Sequence, residues 1–230
     1  MKTFGKIKPV RGIDCNLILT EWQKKFLKAF VSSDLKEHFN LSGGTALSGF
    51  YLEHRLSDDL DFFSSVKVPF YLIDAFLKKA EFIEKVVMAR HFDRRIFTIR
   101  LPDKSALKAE FTYYPLKNLA PPEKIDGLFI DSFIDAVTNK MCAIADRTDI
   151  KDYVDIYVSS RGKTDFMHHI LELAEKKCEI IGIRHIIKHR LLETPGGIEK
   201  LNLIEPVDKE AMELFFNRFV KEMIEIDLQN

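Results

Sequence analysis

The sequence predicts an α+β protein whose first half mixes strands with helices and whose second half is helical. Three observations support this prediction. Apolar side chains recur at helical spacing near the start of the chain and throughout its second half. Three consecutive segments between them are rich in Val, Ile, Phe and Tyr and are separated by charged turns, which is typical of strands. A change of pattern at residue 131 divides the chain into two predicted domains, 1–130 and 131–230.

The individual elements follow from the same patterns, in chain order. A helix is predicted over 17–38 with a break at Ser32-Ser33, and a short apolar stretch over 39–41 leads into a glycine pair. The other elements predicted for the first half are a helix over 46–54, a strand over 59–63, a helix over 69–80, and strands over 82–90, 94–101, 106–114 and 127–130, with a proline-rich connection at 120–122. The helices predicted for the second half span 131–146, 149–160, 165–178, 182–193 and 206–228.

Composition limits the classes of protein to consider. The 35 basic residues balance the 35 acidic ones, so any surface that attracts nucleic acid must be local. The three cysteines, Cys15, Cys142 and Cys178, form no CxxC motif and predict buried thiols in a reducing cytosol. The first 14 residues lack the apolar region of a secretory signal, and no stretch approaches the about 18 apolar residues of a membrane span. We therefore expect a soluble cytoplasmic protein without a membrane partner.

The strongest motif is a glycine pair followed by an aspartate pair. Gly43 and Gly44 lie at a predicted strand-to-helix junction, where glycines let the backbone approach a phosphate. The helix that follows offers free N–H groups and its positive dipole end, and Thr45 adds a hydroxyl donor. The segment 46–58 has the length of one helix and a return to an adjacent strand. The motif therefore predicts that nucleotide phosphates bind at this turn.

Asp59 and Asp61 point to the same face of their predicted strand because strand side chains alternate. Two neighbouring carboxylates repel each other unless a cation lies between them, and Mg²⁺ shared with substrate phosphates supplies that cation. A third carboxylate on a neighbouring strand would complete a site for two metal ions, and Glu110 is the candidate. The alternative is that Glu110 simply faces solvent on a half-exposed strand.

Two cations interrupt the apolar face of the helix predicted after residue 131. Lys140 and Arg147 share the sector of Phe133, Val137 and Ile144, and burying them requires an anionic partner. A triphosphate or the metal-binding carboxylates would serve. The alternative is that the two cations extend to solvent at the helix ends or pair with structural acids.

A second acidic pair lies on the next predicted helix. Asp152 and Asp155 stand three residues apart on the side opposite the apolar residues of that helix. Without further context the pattern indicates a solvated polar face on which Lys151 pairs with Asp155.

Two blocks of residues carry a family resemblance over residues 40–160. The first block is Gly43-Gly44-Thr45-Ala46-Leu47, Tyr51-Leu52, His54-Arg55, Ser57 and Asp59-Leu60-Asp61-Phe62-Phe63. The second block is Lys140, Ala143, Arg147, Lys151-Asp152 and Asp155-Ile156-Tyr157. Together they resemble the AbiEii/AbiGii-type toxin family of nucleotidyltransferases, found in bacterial abortive-infection and toxin–antitoxin systems.

The resemblance implies a DNA polymerase β-like nucleotidyltransferase core with a mixed sheet, followed by a helical domain that contributes to the active site. It implies that Asp59 and Asp61 hold Mg²⁺, that Lys140 contacts the nucleotide phosphates, and that Asp155 or Asp152 completes the site. The family's third strand carboxylate is usually an aspartate, where this chain has Glu110. Members transfer nucleotides to RNA or other acceptors, and some are encoded beside an antitoxin.

The sequence therefore predicts Mg²⁺-dependent transfer of a nucleoside monophosphate from an NTP to an acceptor hydroxyl, with tRNA or another RNA as a candidate acceptor. Gly43, Gly44, Thr45, Lys140 and Arg147 are the predicted nucleotide-binding residues. The alternative is a non-catalytic module that keeps the fold to bind a nucleotide, RNA or protein. Phosphodiester hydrolysis is a third hypothesis, which the predicted triphosphate grip disfavours. Basic residues that could form a groove for the acceptor are Arg94, Arg95, Arg100, Lys104, Arg184, Lys188 and Arg190.

Overall fold

The computed structural model of the protein describes residues 7–229. The α-helices of this range are α1 (Glu21–Val31), α2 (Gly43–Leu47), α3 (Phe70–Lys79), α4 (Phe133–Asp146), α5 (Ile150–Ser160), α6 (Thr164–Lys177), α7 (Ile183–Leu192) and α8 (Lys209–Gln229). The strands are β1 (Asn40–Ser42), β2 (Asp59–Ser64), β3 (Lys85–His91), β4 (Arg94–Arg100), β5 (Ala106–Tyr113), β6 (Glu123–Ile125) and β7 (Leu128–Ile130). The α+β class predicted from the sequence is confirmed.

All strands of the described range belong to one mixed sheet with the order β3-β4-β5-β2-β1-β7-β6. β2 is antiparallel to β1 and parallel to β5, while β1 is parallel to β7. The predicted return of the chain to an adjacent strand is confirmed, because α2 and a π-helical turn (Ser48–Leu52) connect β1 to β2 and place Ser42 opposite Asp61. The motif residues therefore meet at the centre of the sheet.

Aromatic side chains hold α1 and α3 against one face of the sheet. Phe26 and Phe30 of α1 contact Phe62 of β2 at ring-centroid distances of 6.1 and 4.4 Å, and Phe62 stacks on Phe111 of β5 at 4.9 Å. Phe76 of α3 meets Phe26 edge-on. Burial of these rings favours folding by about 25 cal/mol per Å² of apolar surface. It therefore determines which face of β2 points toward the rings and which face points away from them.

The helical second half packs against α2, the helix that contains the glycine pair. α4 contacts α2, α5 and α6, and the buried apolar residues of both halves form one continuous cluster. Strands end at Ile130 and helices alone follow from Phe133. We propose that the boundary near residue 130 separates two domains, 1–130 and 131–230. The prediction that no secretory signal is present concerns the first 14 residues, and residues 1–6 of this segment lie outside the described residues.

The structure refines several predicted elements. The first helix begins at the Thr20 N-cap, whose hydroxyl accepts from the Gln23 backbone, and it ends where the hydroxyls of Ser32 and Ser33 bond to preceding carbonyls. This explains the predicted break, after which the chain continues as a 3₁₀ turn. A strand at Glu123–Ile125 was not predicted, because prolines precede it and it pairs over three residues only.

The prediction for the cysteines is wrong. Cys142 of α4 and Cys178, directly after α6, form a disulfide with their Cα atoms 6.3 Å apart, and Cys15 is an exposed free thiol. The pair was missed because 36 positions separate its members, and only the packing of α6 on α4 brings them together. Among the described residues, no helix has the length and apolar character needed to cross a membrane.

Candidate active site

The glycine turn brings the backbone against a carboxylate. Gly43 follows β1 with a φ of +66°, a left-handed conformation that favours glycine. A Cβ at this position would lie 2.9 Å from Cγ of Asp61, and the carboxylate oxygen would be closer still. The hydroxyl of Ser42 donates to Asp131 at 2.6 Å and fixes the start of the turn. Gly43 therefore gives Asp61 its place beside the N-terminus of α2.

The second glycine makes room for a buried arginine. A Cβ at Gly44 would lie 2.6 Å from Nη2 of Arg55 and 3.0 Å from Oγ of Ser57. Thr45 is buried and its hydroxyl donates to the backbone carbonyl of Asp59. The structure thus gives the Thr45 hydroxyl a different partner from the phosphate predicted for it, because the side chain points back toward β2.

The predicted alternation of β2 is confirmed. Leu60 and Phe62 are fully buried under α1 and α3, while Asp59 and Asp61 lie half-buried on the opposite face. Glu110 of β5 is directly opposite Asp61 in the register of the parallel strands. The three predicted carboxylates therefore share one face of the sheet on neighbouring strands.

Basic neighbours already engage two of these acids. Lys108 donates to Asp59 at 2.7 Å. Arg94 donates to both oxygens of Glu110 at 2.6 and 2.7 Å, and the hydroxyl of Thr112 donates to one of them. Burial acts to raise the pKa of Glu110, but the bonds from Arg94 and Thr112 outweigh it, so the pKa is lowered. Glu110 is buried, so the alternative that it faces solvent is wrong.

Asp61 differs from these two acids because no cation within residues 7–229 bonds to it. Burial, together with the nearby charges of Glu110 and Asp59, raises the pKa of Asp61 to about 6, although Lys140 and Lys108 act in the opposite direction. A divalent cation would relieve this repulsion, so the donor chemistry of Asp59 and Asp61 fits Mg²⁺. Within residues 7–229, no three acidic, His or Cys side chains converge as a metal cluster. Lys108 and Arg94 hold the flanking carboxylates instead.

The cations predicted on α4 pair with the second acidic pair. Nζ of Lys140 lies 2.7 Å from Asp152 and 2.8 Å from Asp155. Arg147 donates twice to Asp152, at 2.8 and 3.2 Å. Lys140 and Arg147 therefore pair with acids of the protein itself, which is the alternative to phosphate binding that the sequence left open. The interpretation of the acids as a solvated face is wrong, because both are fully buried and Lys151 lies near Asp149.

Asp155 is the centre of this buried cluster. Arg55 donates to both of its oxygens at 2.7 and 2.8 Å, and Nε2 of His54 lies 2.8 Å from one of them. Burial acts to raise the pKa of Asp155, but Lys140 and Arg55 hold it well below the ordinary value. The ion pair of Arg55 with Asp155 joins the segment that follows the glycine turn to the helical half. Both blocks of the motif therefore contribute residues to one site.

A cleft of about 350 Å³ opens between the sheet and α4. This volume lies in the range of small-molecule sites. Six of the predicted site residues line it, namely Gly43, Gly44, Asp61, Glu110, Lys140 and Arg147. The other four do not line it, namely Thr45, Asp59, Asp152 and Asp155.

Four residues that orient this site were not predicted to act in it, and Arg94 among them was predicted only as part of a groove for the acceptor. Lys108 and Arg94 hold carboxylates of the sheet, and His54 and Arg55 hold Asp155. One signal was visible in the sequence, because alternation places Lys108 on the strand face of Glu110. The structure shows that Lys108 is directly opposite Asp59. Arg55 and Asp155 are 100 positions apart, and no local pattern connects them.

A mixed sheet that presents adjacent carboxylates beside a glycine turn, closed by a helix carrying a buried lysine, is the arrangement of a nucleotidyltransferase-like fold. The sequence pattern of the family described as "Nucleotidyl transferase AbiEii toxin, Type IV TA system" matches residues 25–229. The chain belongs to this AbiEii family of nucleotidyl transferase toxins.

The chain is also similar to an individual relative and to solved structures. An uncharacterized protein of Aquifex aeolicus (strain VF5) is 33% identical over 213 residues, which is 90% of this chain and 98% of the relative. Among solved structures, a putative nucleotidyltransferase from H. pylori matches with a TM-score of 0.59 at 21% identity, covering 92% of this chain and 98% of its own. JHP933 from Helicobacter pylori matches with a TM-score of 0.57 at 20% identity, covering 92% and 97%. These two structures share the fold.

Proposed function

We propose that the protein transfers a nucleoside monophosphate from an NTP to an acceptor hydroxyl in a reaction that depends on Mg²⁺. The observation that carries the proposal is the contact between the Gly43 backbone and the Asp61 carboxylate inside a cleft that Lys140 also lines. A phosphate at the turn and a cation at the carboxylate would share the same small volume, which is the requirement of metal-assisted phosphoryl chemistry.

The phosphates would bind at the positive side of the cleft. The glycine turn leads into the positive N-terminal end of α2, and Lys140 and Arg147 of the buried cluster line the same cleft. Asp152 holds both cations in place, and the side chain of Arg147 remains 49% exposed, so it can meet an anion. This arrangement favours the triphosphate and the departing pyrophosphate.

Asp59 and Asp61 would hold Mg²⁺, which neutralises charge on the phosphates and on the attacking oxygen when it is bound. Lys108 would then have to release Asp59. A metal role for Glu110 likewise requires Arg94 to leave it, since Arg94 occupies both carboxylate oxygens.

In the proposed reaction, the acceptor oxygen forms a bond to the α-phosphorus, the bond from this atom to the pyrophosphate oxygen breaks, and the hydroxyl proton passes to solvent. The chain contributes mainly positioning and charge. The Gly43 turn fixes the triphosphate relative to Asp61, while Lys140 and Arg147 stabilise the negative charge that moves onto pyrophosphate.

Radiolabelled NTPs incubated with the purified protein and total bacterial RNA test this proposal. Asp59→Ala and Asp61→Ala should abolish label transfer and leave the fold intact, because they remove a repulsion and a partly exposed ion pair with Lys108 but no core contact. Asp74→Ala is the matched control, since Asp74 pairs with Lys78 on the exposed surface of α3. Full transfer activity in both variants of the strand aspartates would overturn the proposal.

A role as a toxin and a cognate antitoxin are further parts of the proposal, and the description of the family supports them. RNA as the acceptor and a cytoplasmic location belong to the proposal as well. If the toxin activity depends on this site, expression of the protein should arrest bacterial growth and the Asp61→Ala variant should not. Equal arrest by both proteins would contradict that part.

A non-catalytic binding module is the second candidate, and the capture of Asp59 by Lys108 and of Glu110 by Arg94 favours it. The two candidates differ in how NTP affinity depends on Mg²⁺. An active site should bind NTP more tightly with Mg²⁺, whereas a site closed by its own cations should show no such dependence.

A further inference from the structure

The cleft between the sheet and α4 has a charged end and an apolar end. The charged end is lined by Asp61, Lys140 and Arg147, and the proposed reaction places the triphosphate and Mg²⁺ there. The apolar end is lined by Phe63, Tyr114, Asn139, Ile180 and the disulfide of Cys142 with Cys178. The proposed reaction leaves the apolar end without an occupant, although it belongs to the same cleft of about 350 Å³.

Helix α4 faces both ends of the cleft. Lys140 and Arg147 lie on its flank toward α5, because both contact Asp152 of that helix. Cys142 lies on the opposite flank, since its disulfide partner directly follows α6. Ala143 lies between the two flanks and lines the cleft, and its small side chain leaves the space over α4 open. The two ends are therefore continuous across α4, and one elongated ligand can occupy both.

The spacing of side chains on the sheet fits one nucleotide. Asp61 and Phe63 point to the same face of β2 and are two residues apart, which is about 7 Å along a strand. The backbone N–H of Tyr114 donates to the carbonyl of Ser64 at 2.7 Å, so Tyr114 lies beside Phe63 at the end of the strand. A phosphate held at Asp61 therefore has room for one sugar ring before a base reaches the two aromatic rings.

Phe63 and Tyr114 form the aromatic wall of the apolar end. Their ring centroids are 4.8 Å apart, and both side chains are partly buried. Nζ of Lys177 lies 5.9 Å from the ring centroid of Tyr114 but does not line the cleft. Burial and the charges of Asp131 and Asp135 raise the pKa of Tyr114 to about 12, so its phenol is neutral at pH 7. A neutral aromatic wall suits the flat face of a base and gives no attraction to a phosphate.

Asn139 supplies the polar group of the apolar end. Its Oδ1 accepts from the hydroxyl of Tyr114 and its Nδ2 donates to Asp131, both at 3.3 Å, which is long for hydrogen bonds. A carboxamide has two N–H donors and two lone pairs on its oxygen, so within the described residues one of each remains available. A donor and an acceptor on one amide are the groups with which Asn binds the edge of a base. An apolar pocket with one such polar group is typical of small-molecule sites.

We propose that the apolar end is the subsite for the nucleobase of the NTP, with the base packed against Phe63 and Tyr114 and its edge hydrogen-bonded to Asn139. The inference rests on the proposed function, because it completes the donor nucleotide of that same site. Packing against the rings contributes affinity for any base, since every base has a flat aromatic face. The bond to Asn139 contributes selectivity, because a base whose edge does not match the amide leaves buried polar groups unpaired. Asn139 is therefore the residue that determines which NTP is preferred.

Calorimetric titration of the full chain with ATP, GTP, CTP and UTP, and with inorganic tripolyphosphate, tests the proposal in the presence of Mg²⁺. Tripolyphosphate has the phosphates of the donor without its base, so it reports on the charged end alone. Tyr114→Ala removes a ring from the apolar end, whereas Tyr114→Phe keeps the ring. Tyr113→Ala is the matched control, because Tyr113 is also partly buried but lies outside the cleft with Lys67 over its ring.

Tyr114→Ala should weaken the binding of every NTP by about 5- to 100-fold, while its affinity for tripolyphosphate and both affinities of Tyr114→Phe and Tyr113→Ala should stay within about threefold of the wild type. Asn139→Ala should reduce the ratio of the dissociation constants of the weakest and the tightest NTP by about 5- to 100-fold. Unchanged NTP affinity in Tyr114→Ala would overturn the proposal, and so would an equal loss of NTP and tripolyphosphate binding. An unchanged ratio in Asn139→Ala would overturn the assignment of selectivity to this residue.

The same titrations separate this inference from the proposed function. A wild type that binds neither NTP nor tripolyphosphate would refute the catalytic proposal. A wild type that binds both and transfers the labelled nucleotide, together with unchanged NTP affinity in Tyr114→Ala, would refute only the nucleobase subsite.

Discussion

A methyl group added at Gly43 tests how closely the glycine turn and the aspartate must approach. In Gly43→Ala the new Cβ would lie 2.9 Å from Cγ of Asp61, whereas ordinary carbon–carbon contacts begin at about 3.5 Å. The carboxylate must therefore move by about 0.6 to 1 Å. The left-handed backbone at φ +66° adds a cost of about 1 to 2 kcal/mol to the folded state.

We expect kcat for nucleotide transfer to fall about 100-fold in this variant, because a displacement of about 1 Å at a reacting centre has an effect of that size. Single-turnover transfer of labelled NTP, with the free energy of unfolding measured in urea on the same preparation, is the appropriate assay. The loss of stability should stay near the backbone cost, so the protein should remain folded during the assay.

Gly182→Ala is the matched control for backbone strain. Gly182 has a φ of +71° and no atom within 4 Å of an added Cβ, so the substitution has the same conformational cost without the contact. It should lower stability by a similar amount and leave kcat unchanged. Wild-type kcat in Gly43→Ala, at a stability matching that of Gly182→Ala, would refute the role given to the contact with Asp61.

Three further predictions concern the buried groups. Asp155→Asn leaves two buried cations without their shared partner and should lower the free energy of unfolding by about 3 to 5 kcal/mol in urea titrations, while Asp74→Asn on the surface should cost less than about 0.5 kcal/mol. The pKa of Asp61 is raised from 3.8 to about 6 on folding, so its ionisation opposes folding fully above pH 6 and this penalty disappears below pH 3.8. Asp61→Asn should therefore raise the melting temperature above pH 6 and give no such gain at pH 3.8; an equal gain at both would contradict the assignment. Reduction of the disulfide, or Cys142→Ser, should lower stability by about 4 kcal/mol for a loop of 36 residues, and thiol titration should find one free thiol before reduction and three after it; three before reduction would contradict the pairing.

Local patterns predicted the part of the site that neighbouring residues build. Strand alternation placed Asp59 and Asp61 on one face, and the length of the segment between the motifs indicated that the chain returns beside β1. The glycine pair predicted that the backbone approaches a phosphate, which stays a prediction, and the structure shows that Gly43 also lies against Asp61. These properties depend on a few consecutive residues, so a single sequence contains them.

The partners of the charged side chains were not predictable in the same way. The pattern on α4 showed that Lys140 needs an anion, but a phosphate and a buried carboxylate satisfy that need equally. The choice of Asp152 and Asp155 depends on how α5 packs on α4, and the bond from Arg55 crosses between the two halves of the chain. The disulfide of Cys142 was missed for the same reason. Long-range packing decides each of these contacts.

Calorimetric titration of NTP into the wild type and Asp61→Asn, each with and without Mg²⁺, tests the nucleotide site most directly. We predict that the wild type binds NTP more tightly when Mg²⁺ is present and that Asp61→Asn loses this dependence while keeping the weaker, metal-independent affinity of the cationic side of the cleft. Affinity that is the same with and without Mg²⁺ in the wild type, or a full Mg²⁺ effect in Asp61→Asn, would contradict the assignment of this carboxylate.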